Sequence, residues 1–161
     1  MMITNGATLT GTTNIAGFYA STLNIQCLRL TADAELPKRQ HPTDAGADLC
    51  SAETIDLYPE ETKAVGTGIA VKIPVGFVGL IFNRSSQGKR GIILPNSVGV
   101  IDSDYRGELK VLLKNISGDL YKISQGDRIA QLVIVPIQLA TFTDCWNDTQ
   151  RGTGGFGSTG T

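Results

Sequence analysis

The chain has 161 residues, a length that fits one domain. Its 14 basic and 15 acidic side chains leave a formal charge of −1, which excludes the clustered positive footprint of a protein that grips nucleic acid or an anionic membrane. One histidine, His41, rules out a multi-histidine metal centre, and Cys27, Cys50 and Cys145 form neither a disulfide framework nor a CxxC zinc pair.

No apolar run approaches the ~20 residues of a membrane span, so the expected setting is reducing and cytoplasmic. The 19 glycines disfavour long helices, where each costs ~1 kcal/mol. Residues 1–23 carry no charge and lack a positive start; they read as a flexible leader and not as a signal peptide. From residue 24, short β-type runs alternate with turn residues. Runs 25–30 and 54–58 come first. Run 63–73 follows as one strand, with Ile69, Val71 and Ile73 on one face and Ala70 and Lys72 on the other, the period of a half-buried strand. Pro74-Val75-Gly76 marks a turn before the continuous apolar run 77–82. Residues 85–89 fit a helical turn that Gly91 ends. Runs 92–94, 99–101, 108–113, 120–123, 128–137 and 139–142 complete the set, and such spacing predicts an all-β sandwich or barrel. The glycine-rich stretch 147–161 has too few apolar residues to order itself unaided.

Five polar segments interrupt the strands. In the first, Asp44 and Asp48 stand four apart in an extended stretch, which suits either a magnesium anchor or a turn capped by Asp44. In the second, Arg84, Ser85 and Ser86 open the helical turn, either as an anion site or as a solvated loop; the order of a P-loop is absent. The third holds Asn96 and Gly99, which suit a tight hairpin whose main-chain groups can read a base edge. There Asp102 ends an apolar strand, and Tyr105 can lay its ring against a sugar. The same residues also make an ordinary turn. In the fourth, Gln131 lies among apolar neighbours and needs hydrogen-bond partners, with a backbone bond as the simple reading. The fifth combines close-approach glycines with Arg151, Phe156, Ser158 and Thr159, a phosphate-and-base cradle or a loose tail.

In this order the five segments resemble the motifs of the trimeric deoxyuridine triphosphatase (dUTPase) family, from about residue 25 to 161. Gly-Val-Ile-Asp-Ser-Asp-Tyr-Arg-Gly-Glu at 99–108 and Arg-Gly-Thr-Gly-Gly-Phe-Gly-Ser-Thr-Gly at 151–160 are the specific matches, with Gly-Asp-Arg-Ile-Ala-Gln at 126–131 in support. The resemblance implies a jelly-roll-like β-barrel over 24–146 and a C-terminal arm, 147–161, exchanged within a homotrimer. It implies conversion of dUTP and water to dUMP and diphosphate, limiting uracil in DNA and supplying dUMP for thymidylate synthesis, with no nucleic-acid or membrane partner.

By the same resemblance Asp102 activates the attacking water, and Gln131 orients it or meets the α-phosphate. Asn96 and the main chain of Gly99, Val100 and Ile101 bond uracil, while Tyr105 packs under the deoxyribose. Arg84, Ser85 and Ser86 hold phosphates from a neighbouring chain, and Lys110 contacts the nucleotide. Arg151, Gly157, Ser158 and Thr159 take the γ-phosphate, Phe156 covers the uracil, and Asp48 reaches Mg2+ through water. Two departures stand out: Asn83 replaces a usual proline, and the stretch from Arg84 to Asn96 is one residue short. The rival readings are a dCTP deaminase or bifunctional deaminase–dUTPase, and a regulatory binding protein on the same scaffold.

Overall fold

The structure, a computed structural model, describes residues 23–145. These fold into an all-β, jelly-roll-like barrel with one helical turn. In chain order the elements are β1 Gln26–Arg29, β2 Ala47–Cys50, β3 Ile55–Leu57, β4 Thr62–Gly66, β5 Ile69–Lys72 and β6 Phe77–Phe82. After the helical turn α1, Ser85–Gly88, come β7 Ile92–Ile93, β8 Gly99–Ile101, β9 Lys110–Asn115, β10 Tyr121–Ile123 and β11 Arg128–Pro136. All pairings are antiparallel. One sheet runs β2-β11-β6-β8 and a second β4-β9-β7, while β1 pairs with β5 and β10 with β3.

The core lies where these sheets face one another. Leu49, Ile81 and Ile129 meet Val65, Val111 and Leu113, each at most 2% exposed. Burial of each such side chain contributes ~1.5–3 kcal/mol. Asn115 is fully buried among them, and its amide is saturated. Its Nδ2 donates to the carbonyls of Leu57 and Asp119, and its Oδ1 accepts from Ser117.

Run 63–73 is not one strand. It breaks at Thr67-Gly68, and β4 then pairs with β9 whereas β5 pairs with β1. Gly68 has φ +65°, a left-handed conformation that costs an L side chain energy, and it steers the chain from one sheet to the next. Ala70 is also buried at 6%, so the alternation holds on that outer face only at Lys72. Residues 139–142 form no strand in the single chain, and Leu139 and Phe142 are 72% and 92% exposed.

The strand that sets up the site is β11. Its register against β2 shifts between Arg128 and Ala130, so that Arg128 faces Cys50 and Ala130 faces Leu49. Ile129 is the extra residue of a β-bulge, and Ile129 and Ala130 are both buried in succession. Without the bulge, Arg128 and Gln131 would point to opposite faces of the sheet, because side chains alternate. With it, both share the face of Asp48.

At Gly68 an added Cβ would lie 2.8 Å from Ala34 Cβ, whereas at Gly76, φ +86°, it would meet nothing within 4 Å. Gly68→Ala is therefore expected to destabilise by about 1–3 kcal/mol more than Gly76→Ala. Equal urea midpoints for the two variants would contradict the sheet-switching role.

Candidate active site

Asp48 is 4% exposed, and a carboxylate so placed is tolerable only when paired and hydrogen-bonded. Its main chain is clamped to Lys38 (N to O 2.8 Å) opposite the strand partner Gln131. Both of its oxygens are engaged. Oδ1 accepts from Arg84 Nε at 3.0 Å and from Gln131 Nε2 at 3.4 Å. Oδ2 accepts from Gln40 Nε2 at 3.0 Å and Arg128 Nη1 at 3.3 Å. Gln131 therefore bonds a side chain and not the backbone bond that its apolar neighbours suggested. Gly46 makes room for it: a Cβ there would come within 3.1 Å of Gln131 Cβ. Asp44 does not join Asp48. It sits outside β2 and its carboxylate accepts from His41 N at 2.9 Å, the turn-capping alternative.

Arg84 and Arg128 open onto a cleft of about 350 Å3, lined also by Ser86, Gln87, Arg90, Tyr121 and Asp127. Arg84 precedes α1 in an extended conformation, and its Nη1 donates to Ser86 Oγ at 3.4 Å and to the Arg128 carbonyl at 3.3 Å. Asn83 donates from Nδ2 to the Ile92 carbonyl at 2.9 Å, a tie that proline cannot make, while its buried Oδ1 has no hydrogen-bond partner among the described residues. Three guanidiniums against the carboxylates of Asp48 and Asp127 give this cleft a charge and a set of donors that suit a polyanion such as a phosphate chain.

A second pocket, about 240 Å3, is lined by Val100, Ile101, Asp102, Tyr105, Glu108 and Lys110. Its floor is β8, the last strand of its sheet among the described residues, where it pairs with β6. No described strand pairs with its outer edge, which therefore presents main-chain groups to the pocket side. The preceding turn closes from Ser97 N to Leu94 O at 3.0 Å, with Ser97 at φ +63°, and Asn96 Nδ2 donates to Val98 O at 3.4 Å. It is a corner between sheets and not the expected hairpin, since β7 pairs with β9 and β8 with β6.

Asp102 is exposed just beyond β8, and Tyr105 N donates to its carbonyl at 3.2 Å. The Tyr105 hydroxyl donates to Glu108 O at 3.0 Å, and the ring lies against Gly107, where any Cβ would come within 2.6 Å of the ring Cζ. Arg106 braces the loop through the carbonyls of Ser103 and Tyr105. Lys110 Nζ stands 3.6 Å from Glu108.

Within one chain the two pockets stay apart. Ile101 faces Gly79 on β6, whereas Gln131 faces Phe82 on the other side of β6. Spacings of ~3.3 Å per residue and ~4.8 Å per strand put Asp102 roughly 16 Å from Gln131. Asp48, Arg84, Ser86 and Gln131 thus gather at one place, with Ser85 exposed beside them, and Val100, Ile101, Asp102, Tyr105 and Lys110 at another, beside the corner of Asn96 and Gly99. Arg151, Phe156, Gly157, Ser158 and Thr159 lie outside the described residues, as does most of the leader. The sequence reading passed over Gln40, Gln87, Arg90, Tyr121 and Arg128. Among the described residues no cluster of three metal-ligating side chains occurs, and no helix is long and apolar enough to cross a membrane.

Cys50 lies under this network, its Sγ 3.8 Å from Glu35 Oε2. Burial, then the negative charges of Glu35 and Asp48, push its thiol from 9.0 up to about 11, against the pull of Arg128. The folded chain keeps this proton while the unfolded chain loses it, so stability falls as pH rises from 9.0 to about 11. Urea midpoints taken across that interval should drop less in Cys50→Ser than in the parent; parallel curves would refute the assignment.

The dUTPase family model matches residues 32–160. A deoxyuridine 5'-triphosphate nucleotidohydrolase of Rhodococcus erythropolis is 47% identical over 142 residues, covering 86% of this chain and 87% of the relative. One from Picosynechococcus is 42% identical and is covered in full, against 86% of this chain. Among solved structures, the Staphylococcus bacteriophage 80alpha dUTPase with dUPNHPP superposes with a TM-score of 0.75 at 35% identity, covering 87% of this chain and 100% of that one. A mutant dUTPase from phage phi11 of S. aureus, described with a structural Mg(II) ion, gives a TM-score of 0.72 at 33% identity, with 78% and 98% covered. On sequence and fold together, the chain belongs to the dUTPase family.

Proposed function

We propose that this chain hydrolyses dUTP to dUMP and diphosphate, at sites completed by neighbouring copies of itself in a homotrimer. The observation that carries the reading is the division of the site. A nucleoside-sized pocket with an exposed carboxylate and a cationic, phosphate-sized cleft lie on one chain, with Asp102 roughly 16 Å from Gln131, too far for both to meet one α-phosphorus. Symmetric packing of copies brings the pocket of one against the cleft of another. Leu139 and Phe142, bare in the single chain, fit the base of an arm that crosses to a neighbour, and residues 147–161 would close over the nucleotide, with Arg151, Gly157, Ser158 and Thr159 on the γ-phosphate and Phe156 over the uracil.

In the pocket, uracil meets the free edge of β8 and the Asn96 corner, and the deoxyribose lies on the Tyr105 ring, which leaves no room for a 2′-hydroxyl. Asp102 takes a proton from a water aligned with the α-phosphorus, a general-base contribution of about 10²–10⁴. Gln131 orients that water or the α-phosphate. Arg84, Ser85 and Ser86, joined by Arg128, neutralise the phosphates so that the nucleophile can approach, and Lys110 assists from the pocket side.

The donor set fits magnesium carried in on the triphosphate and not caged by protein, because no three ligating side chains cluster among the described residues and Mg2+ keeps several waters. When bound it would supply further charge neutralisation, with Asp48 reached through water.

Pyrophosphate release from dUTP, dCTP, dTTP and UTP, with ammonia release from dCTP as the deaminase control, tests the substrate. Tyr105→Ala should shift the UTP-to-dUTP ratio of kcat/KM upward by about tenfold or more; an unchanged ratio refutes the sugar role. Asp102→Asn and Arg84→Ala should each be nearly inactive alone. Refolded as a mixture, they should regain on the order of a quarter of parental activity, because some sites then draw an intact group from each chain. No recovery would place both residues in one chain's site and defeat the shared arrangement.

A further inference from the structure

We propose that Gln87, held by Tyr121, is a positioning residue for the arginines of the cleft, and that it thereby tunes affinity for the phosphate chain and not for the nucleoside. The inference rests on the nucleotide reading given above. Gln87 is 5% exposed, and a buried amide is costly unless both of its ends are paired. Its Nε2 donates to the Arg128 carbonyl at 3.2 Å, and its Oε1 accepts from the Tyr121 hydroxyl at 2.8 Å.

Each of those two oxygens also anchors an arginine. The Arg128 carbonyl accepts from Arg84 Nη1 at 3.3 Å, and the Tyr121 hydroxyl accepts from Arg90 Nη1 at 3.3 Å. A single amide on α1 therefore touches both rests on which Arg84 and Arg90 lie, and those rests belong to β11 and β10. Arginine side chains are rich in rotamers, and whatever freedom the empty protein leaves them must be frozen when ligand binds. Leucine at 87 would fill a similar volume but leave the Tyr121 hydroxyl without its acceptor and the Arg128 carbonyl with one donor fewer. The arginines would then be ordered at the expense of phosphate binding. The nucleoside pocket shares no lining residue with this relay, so its affinity should stand apart.

The test compares the full-length parent, Gln87→Leu, Tyr121→Phe and the double variant. Calorimetric titration is done with dUMP and with α,β-imido-dUTP plus Mg2+, alongside steady-state hydrolysis of dUTP. Gln87→Leu should weaken the imido-triphosphate by about tenfold and Tyr121→Phe by about threefold, with the double variant little worse than Gln87→Leu alone. Affinity for dUMP should stay within about twofold, and KM should rise more than kcat falls. A purely structural role would weaken both ligands alike, and that result overturns the proposal, as does an imido-triphosphate affinity unchanged in both single variants. A parent that binds neither ligand overturns the nucleotide reading and this inference with it; a parent that binds both, beside indifferent variants, overturns the positioning role alone. Should Gln87→Leu not fold, Tyr121→Phe, which removes one oxygen, decides by the same criteria.

Discussion

The bulge at Ile129 is the constraint on which the cationic cleft depends. A regular β11 would send Arg128 and Gln131 to opposite faces, and Asp48 would lose one of them. One additional residue in the strand resets the alternation and lets an arginine, a glutamine and a buried carboxylate converge. The carboxylate in turn restrains Arg84, which arrives from a different strand connection altogether. Local irregularity in the backbone, worth little energetically in itself, thus determines the electrostatics of the whole face.

Burial explains why this network is built so fully. An ionised side chain at 4% exposure would be strongly penalised if any of its partners were missing. Four donors from β11, the α1 approach and the segment before β2 share the task. The nucleoside-sized pocket follows an opposite logic. Asp102 is left open to solvent, which suits the base role proposed for it, and the ordering effort goes into the Tyr105 loop around it, through Arg106 and the bare backbone of Gly107.

Much of this was legible in the residues. The short apolar runs announced an all-β fold, and the segments around Arg84, Asp102 and Gln131 were recognisable from their side-chain types. What escaped were features that depend on register. Arg128 stood in plain view next to Gln131, but strict alternation places the two on opposite faces, and only the consecutive apolar pair Ile129-Ala130 hints otherwise. The split of run 63–73 was hidden because Gly68 interrupts a pattern that stays apolar on both sides. Gln87 and Tyr121 are distant in sequence and acquire meaning only when α1 and β10 are brought together. The corner after Leu94 looked like a hairpin because turn chemistry is local, whereas the identity of the strand that each flank joins is not.

The free edge of β8 has an evolutionary consequence. Amide and carbonyl groups are the same in nearly every amino acid, so contacts made through them survive almost any codon change along the strand. Val100, 63% exposed, can drift without altering what that rim offers a visitor. If that rim reads the base as proposed, a lineage admitting a different base would have to lengthen, shorten or re-thread the corner before it, which demands insertions or deletions and would make the preference hard to erode by drift.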